Sequence, residues 1–409
     1  MPHILFVSSN PKKYSHIEPA KNKGYVTSLV KTYPTPEDYK TFDNVIKADL
    51  FDLQDVLNKV ARLNKKIKID GVLTRFEPYT PLVGSICESL SLQGPRLEPS
   101  INCRDKKRMR IVLGRAGIKQ PRFFDPRKDN IPEDSYPLLL KPTRGAKSRY
   151  IIRIDSPEEL NEKVSKVQFL ISNSRNSLFR PIEGIDKENT GIIAEQLLKG
   201  RQVTTTSFVV NNNVYHIDLA DLVTAQDSGL EGFYLISRTT PSTLSEKEKI
   251  QVFDIVNNAV EALGINNCCL HPEVILTEDG PKILEIAART GGYRPEMNKE
   301  AFGIDLNKIA IEVSLGIEPD VRKIHNKAST AVEVWPKKSG RLKGFRNMDD
   351  VVSIKGLINF EVKRTVDNIY LTPPEGTTPI ATFLTSAPTP EESKRIADEV
   401  LNKLDIMID

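Results

Sequence analysis

The sequence predicts an α/β protein of several layers, and three observations carry that expectation. Residues 1 to about 100 alternate strand-like and helix-like segments. Two apolar runs at 274–276 and 283–286 flank a Glu-Asp-Gly turn signal. The stretch from about 325 to 409 holds three strand-like runs and a closing helix, the pattern of a small α+β unit.

The first hundred residues read as a parallel layer. HILFVSS, GYVTSLVKTY, NVIKAD and DGVLTR have the look of short buried strands, while residues 53–64 and 79–92 show helical spacing. The first turn, Ser8-Ser9-Asn10-Pro11, lacks the glycines of a dinucleotide-binding loop. This layer is therefore expected to frame a substrate cleft. Next, Ser100 or Asn102 can cap a helix with apolar positions at Met109, Val112, Leu113 and Ala116, and Gly117 supplies its stop. The cations of residues 104–110 read mostly as a solvated face, with Lys106 singled out. An apolar strand then ends at Lys141-Pro142, passes through a small-residue loop with Gly145, Lys147 and Ser148, and returns over residues 150–154. Such a loop can close its backbone N–H groups over phosphates, although a lysine beside a turn is more often structural.

Glu195 and Gln196 lie inside an apolar run. A buried carboxylate needs a donor, which a ligand's amino group or an internal partner such as Arg201 or Lys199 would supply. After further strands, residues 246–263 form an amphipathic helix that feeds the stretch 271–293.

That stretch reads as a β-hairpin. If Glu278, Asp279 and Gly280 form a three-residue loop, Thr277 pairs with Pro281 and Glu273 falls opposite Glu285. Two such carboxylates repel by roughly 3 kcal/mol at ~5 Å and an effective dielectric of ~20, unless a proton or cation sits between them. Oxygen ligands of this kind suit Mg²⁺, above all where substrate phosphates complete the shell. Alternation carries the same face through Ala287 to Arg289. An exposed hairpin with scattered charge is the bland alternative, and apolar residues on both faces argue against it. Beyond it, residues 304–315 read as a helix stopped by Gly316.

Composition bounds the rest. At 409 residues the chain is long for one core, so about two to four domains are expected. A net charge of +4 is too small a bias to imply nucleic acid. Four cysteines without metal spacing suit reduced thiols in a cytoplasmic protein. The N-terminus reads as a strand and not a signal peptide, and no apolar stretch reaches the ~20 residues of a membrane span.

Together, Lys106, Lys141 with its loop, Glu195, Glu273, Glu285 and Arg289 stand in an order that resembles the ATP-grasp superfamily over most of the chain. The nearest likeness is to carboxylate–amine ligases of the L-amino-acid ligase and carnosine synthase type. It rests on the RDK segment, the KP-x-x-G-x-x-S loop, the H-x-E hairpin, the R-x-G-G turn and the A-F-G-I-D-L stretch at 301–306. The resemblance implies an N-terminal α/β domain over 1–100, ATP-grasp subdomains over 101–190 and 191–320, and a C-terminal α+β domain over 321–409.

It also implies roles. Lys106, Lys141 and Ser148 would contact ATP phosphates. Glu195 would accept from the adenine amino group, with the backbone of Gln196 and Leu198 on the adenine edge. Glu273 and Glu285 would hold Mg²⁺ or Mn²⁺, Arg289 would bind the carboxylate substrate and its acyl phosphate, and Tyr293 would wall the acyl pocket. The implied partners are small carboxylates and amines, plausibly amino acids, with no nucleic acid and no membrane; a homodimer is allowed for. Three positions depart from the family pattern. Gln202 stands where a glutamate usually meets the ribose, Ala287 where the metal motif has a side-chain ligand, and Tyr150 where the phosphate loop has glycine. Besides amide ligation, a carboxylating ligase using carboxyphosphate and a non-catalytic ATP-binding protein remain open readings.

Overall fold

The computed structural model describes residues 1–9, 15–372 and 378–409. Asn10 and Pro11 of the first turn therefore lie outside the described residues. Strands β1 (His3–Val7), β2 (Val26–Lys31), β3 (Asn44–Lys47) and β4 (Gly71–Leu73) form a parallel sheet in the order β3-β2-β1-β4. β1 is buried on both faces because both are covered. Leu5 and Val7 pack toward helices α3 (Leu53–Lys66) and α4 (Thr80–Ser89), while Ile4 and Phe6 meet Ile17 and Ala20 at α1 (Glu18–Asn22). The short α2 (Pro36–Thr41) precedes β3 and starts with a Thr35–Asp38 capping box.

The next helical stretch differs from its expected form. It breaks at Asp105 into α5 (Leu97–Arg104) and α6 (Lys106–Arg115). The cap is neither Ser100 nor Asn102: the Asp105 side chain accepts from the Arg108 N–H and starts α6. Strands β5 (Phe123–Phe124), β6 (Leu138–Pro142), β7 (Ile152–Ile154) and β8 (Ile192–Gln196) then form an antiparallel sheet ordered β5-β8-β6-β7, backed by α7 (Leu160–Ser172).

A long antiparallel sheet follows, from β9 (Arg201–Val210), β10 (Asn213–Thr224), β11 (Leu235–Thr240), β12 (Cys268–Thr277) and β13 (Gly280–Ala287). Helix α8 (Glu246–Leu263), with a Ser245–Glu248 capping box and the left-handed Gly264 as its stop, buries Val252, Val256 and Val260 against one face. Helices α9 (Arg294–Phe302) and α10 (Leu306–Ser314) cover the other; Ile311 of α10 also reaches the N-terminal sheet.

The sheet does not stop where the sequence divides the chain, near 320. β14 (Ala328–Val334) pairs with β11, and beyond β15 (Gly340–Arg346) and the short α11 (Met348–Val352) the strands β16 (Leu357–Val362) and β18 (Ala381–Ala387) continue it, giving β13-β12-β9-β10-β11-β14-β18-β16. The short β17 (Ile369–Tyr370), β15 and β19 (Asp405–Ile408) form a small sheet, and α12 (Pro390–Lys403) closes a second core around Phe383, Ile396 and Val400. The four cysteines are unpaired. Among the described residues no helix is long and apolar enough to cross a membrane.

Candidate functional site

Glu273 and Glu285 stand directly opposite each other, by a route that differs from the expected one. The turn has two residues, Glu278 and Asp279, with Gly280 at φ +99, so Thr277 pairs with Gly280 and not with Pro281. That moves the register by one residue. A bulge at Leu284 moves it back, and Glu273 meets Glu285, Pro272 meets Ile286 and His271 meets Ala287.

A cation lies against this pair. The Lys106 ammonium sits 3.3 Å from a Glu285 oxygen and donates to the Gly145 carbonyl at 3.1 Å, joining hairpin, helix α6 and phosphate loop. Burial would lower its pKa, but Glu285, Glu77 and Glu195 outweigh that and hold it charged. Burial, together with Glu273 and Glu77, raises the Glu285 carboxyl even though Lys106 opposes the shift. The site thus carries more negative charge than one ammonium relieves. His271 lies 3.6 Å from Glu273, and its other ring nitrogen is 3.1 Å from the Thr204 hydroxyl. Burial lowers its pKa and favours a neutral ring.

Gln202 lies two residues along β9 from Thr204, the cross-strand partner of Glu273. Its amide donates to Glu273 at 3.1 Å, which sets the residue expected at the ribose beside the acidic pair. Glu195 is fully buried, and its partners are neither Arg201 nor Lys199. Arg110 donates to one oxygen at 2.9 Å and Lys141 to the other at 2.8 Å, while Arg201 pairs with Asp221. Burial would raise the Glu195 carboxyl, but Arg110 and then Lys141 bring it down to about 2. The Gln196 N–H donates to the Arg122 carbonyl at 2.9 Å, at the end of β8 beside β5. The Leu198 N–H makes no backbone hydrogen bond among the described residues.

The basic segment 104–110 is not mainly a solvated face. Lys106, Met109, Arg110 and Leu113 form the buried stripe of α6, and Arg104 is buried against Asp186. Lys107 and Arg108 do face outward, toward Asp125 and Glu98. The i, i+3, i+4, i+7 spacing around Met109 and Leu113 was the available signal that Arg110 turns inward.

The loop after β6, expected to close over phosphates, bends through left-handed Lys147, Ser148 and Tyr150, at φ 61, 52 and 59. Tyr150 adopts the conformation a glycine would take at ease, and its ring stacks on Phe179 with centroids 5.1 Å apart.

At the far end of the hairpin face, the Arg289 guanidinium lies 2.6 Å from Glu77, a residue of the turn after β4, and donates to the Thr290 carbonyl at 3.0 Å. Sequence spacing contained no sign of Glu77, which is 212 positions away. Tyr293 is left-handed at φ 61, opens α9 and lies under the Arg238 guanidinium, 4.9 Å from its ring centre. Behind it, fully buried Arg294 donates to Asp218 at 2.6 Å and so pins α9 to the sheet. Lys106, Glu273, Glu285, Arg289 and Glu77 therefore converge on one region, Lys141 and Glu195 adjoin it, and Gln196 and Leu198 lie along its outer edge.

Comparison with known proteins agrees with this arrangement. Residues 134–295 match the ATP-grasp domain family and residues 18–94 match the ATP-grasp N-terminal domain family, together more than half of the chain. The chain is similar to an alanine–anticapsin ligase of Bacillus subtilis (strain 168), 25% identical over 321 residues, covering 74% of this chain and 65% of the relative. It thus spans just under two thirds of that relative's length. Its fold is similar to that of an L-amino acid ligase from Bacillus licheniformis, with TM-score 0.84, 23% identity and coverage of 100% and 99% of the two chains. An N5-carboxyaminoimidazole ribonucleotide synthetase from Thermotoga maritima shares the fold at TM-score 0.71 and 14% identity, each chain covered in full at 100%. With the two family matches falling on the parallel layer and on the sheets that carry Lys141, Glu195, Glu273 and Glu285, the chain belongs to the ATP-grasp family.

Proposed function

We propose that this chain is an ATP-dependent ligase that joins a small carboxylate, plausibly an amino acid, to an amine, through an acyl phosphate and with release of ADP and phosphate. The observation that carries the reading is the opposed pair Glu273–Glu285 with Lys106 on one side and Arg289 at the end of the same face. The likeness to a relative named as an alanine–anticapsin ligase supports an amino acid as the carboxylate.

Two carboxylates with excess negative charge fit Mg²⁺ or Mn²⁺, and among the described residues no cluster of three or more acidic, His or Cys side chains forms a complete metal site. That suits an ion that keeps waters and takes phosphate oxygens. Such a metal would neutralise charge on the phosphates during transfer. Glu273 and Glu285 would hold it, with Gln202 and His271 orienting Glu273 and no side-chain ligand from Ala287. Lys106 and Lys141 meet the phosphates, with Ser148 and the loop N–H groups over them. Glu195 aims Lys141 and keeps lone pairs for the adenine amino group, beside the Gln196 carbonyl and the Leu198 N–H. Arg289, held by Glu77, orients the substrate carboxylate and stabilises the acyl phosphate. Both Glu77 oxygens are buried without a hydrogen bond of good geometry, so Glu77 is also placed to accept from an amino acid's ammonium. Tyr293 walls the acyl pocket. Unpaired cysteines fit action in the cytoplasm.

The test is ADP release with Mg²⁺ over a panel of amino acids and amines. Substrate-stimulated release with amide product is expected; a protein that binds ATP but is stimulated by no pair would refute the reading. Ala287 favours carboxylation as the second reading, because carboxylating ligases of this superfamily resemble the stretch Glu285–Arg289. Bicarbonate-dependent ATP hydrolysis without response to amino acids would select it.

A further inference from the structure

A cleft opens between the end of β4 and the end of the hairpin, and two guanidiniums line it, Arg75 and Arg289. Arg75 lies two residues beyond β4, at the carboxyl edge of the parallel sheet, where open α/β sheets receive ligands. The charge of Arg289 is answered by Glu77 at 2.6 Å. Arg75 has no hydrogen bond or ion pair with any described residue, although it is half-buried. Thr74 and Thr290 add hydroxyls to the wall, and Ala288 and Ala310 keep it shallow in side-chain bulk. Burial lowers the Arg75 pKa; the Glu296 carboxylate opposes this in part, without an ion pair to Arg75, and the Arg289 charge adds to the lowering. A desolvated cation beside a second, already paired cation is unfavourable until an anion arrives.

We propose that the carboxylate substrate carries a second anionic group, and that Arg75 binds it while Arg289 holds the reacting carboxylate. The inference rests on the ligase reading and narrows its substrate to small acids with two anionic groups, either dicarboxylates or phosphate-bearing acids. One guanidinium then serves each anion, and the small walls admit a short chain between them.

Matched pairs test this: aspartate with asparagine, glutamate with glutamine, and phosphoserine with serine, each with a fixed amine. For the wild-type protein, ADP release is expected to favour the acidic member of at least one pair by about tenfold or more in kcat/KM. The pair that responds separates carboxylate from phosphate. In Arg75→Gln the acidic member's KM should rise about 10–100-fold, the neutral member's far less, with kcat little changed; Arg75→Lys should recover part of the loss. Equal loss for both members would overturn the proposal, since Arg75 would then share the reacting carboxylate. Equal turnover of both members by the wild type would overturn it as well. Calorimetric titration of the same acids into ATP-loaded protein reads binding without turnover. If no pair stimulates ADP release, the ligase reading fails; tighter binding of the acidic member that is lost in Arg75→Gln would still support the role of Arg75, and indifferent binding would end it.

Discussion

Glu195 shows how much a single buried charge can hold. Both of its oxygens carry a cation, Arg110 and Lys141, in a place without solvent. Replacing it leaves Arg110 buried and uncompensated, so Glu195→Gln should cost about 3–5 kcal/mol in urea unfolding at neutral pH. Its carboxyl sits at about 2, below the ordinary 4.5. The stability it confers is therefore complete above about pH 4.5 and drains as pH falls toward 2, so the gap between wild type and variant should narrow from pH 7 to pH 3. A gap that widens on acidification would contradict the ion pair. Glu285 should behave in the opposite way. Glu285→Gln relieves a like-charge contact worth roughly 3 kcal/mol in the absence of metal, offset in part by loss of the ion pair with Lys106. Its metal-free stability should hold or rise by up to about 2 kcal/mol, while Mg²⁺-dependent ADP release falls about a hundredfold or more. Loss of stability in step with activity would mark Glu285 as structural. Among single residues, the sequence was informative where chemistry is local: the opposed Glu273 and Glu285 were legible from the hairpin, although a shorter turn and a bulge at Leu284 produce the register, and Lys106 stood out only through the family resemblance. The partners of Glu195 were not legible, because Arg110 lies 85 positions away and nothing in either neighbourhood names the other.

The hairpin is the element that sets the site, and it is clamped at its turn. Gly200, in the link from β8 to β9, has φ +149, and a Cβ there would stand 2.0 Å from the Leu276 carbonyl oxygen. Gly200→Ala should therefore cost about 2–3 kcal/mol or more, and should weaken Mg²⁺-dependent activity by displacing β12. Thermal unfolding and metal titration of the variant would check both; an unchanged Tm would refute the clamp. Periodicity revealed α8 and α12 closely, since one face of each is apolar at the proper spacing, and β1 to β4 stood out as short apolar runs. It did not reveal α9, which is buried on several sides, with Arg294, Pro295, Met297, Asn298, Ala301 and Phe302 all inward. Arg294 and Asn298 on the buried side and Glu296, Lys299 and Glu300 on the other leave polar residues all round, so the amphipathic signature is lost. α5 was hidden because Pro99, Ser100 and Asn102 read as the approach to a helix and not as its interior, so the start was set there and the break at Asp105 missed.

For the whole molecule, the continuity of the long sheet matters most. β14 covers the edge of β11, and β18 and β16 follow on it, so residues beyond 320 complete the sheet that carries Glu273. A chain ended at residue 326 would expose the β11 edge and the apolar side of α9 that meets Ala331 and Leu384. Such a chain should aggregate, and the intact protein should unfold without an early transition confined to residues 321–409. A soluble, ATP-binding truncate would show the extension to be dispensable.

The sequence by itself determined the features that depend on a few neighbouring residues: the alternating parallel layer, the small-residue loop after β6, the hairpin that opposes Glu273 and Glu285, and the order of lysines, glutamates and arginine along the chain. Backbone periodicity and turn chemistry act over such short spans, so a linear reading captures them. Tertiary structure alone decided that Arg110 and Lys141 hold Glu195, that Gln202 serves Glu273, that Glu77 reaches Arg289, and that Arg75 faces the cleft unpaired. Those contacts join distant segments, and their pairing follows from how helices and sheets pack once the apolar faces are buried.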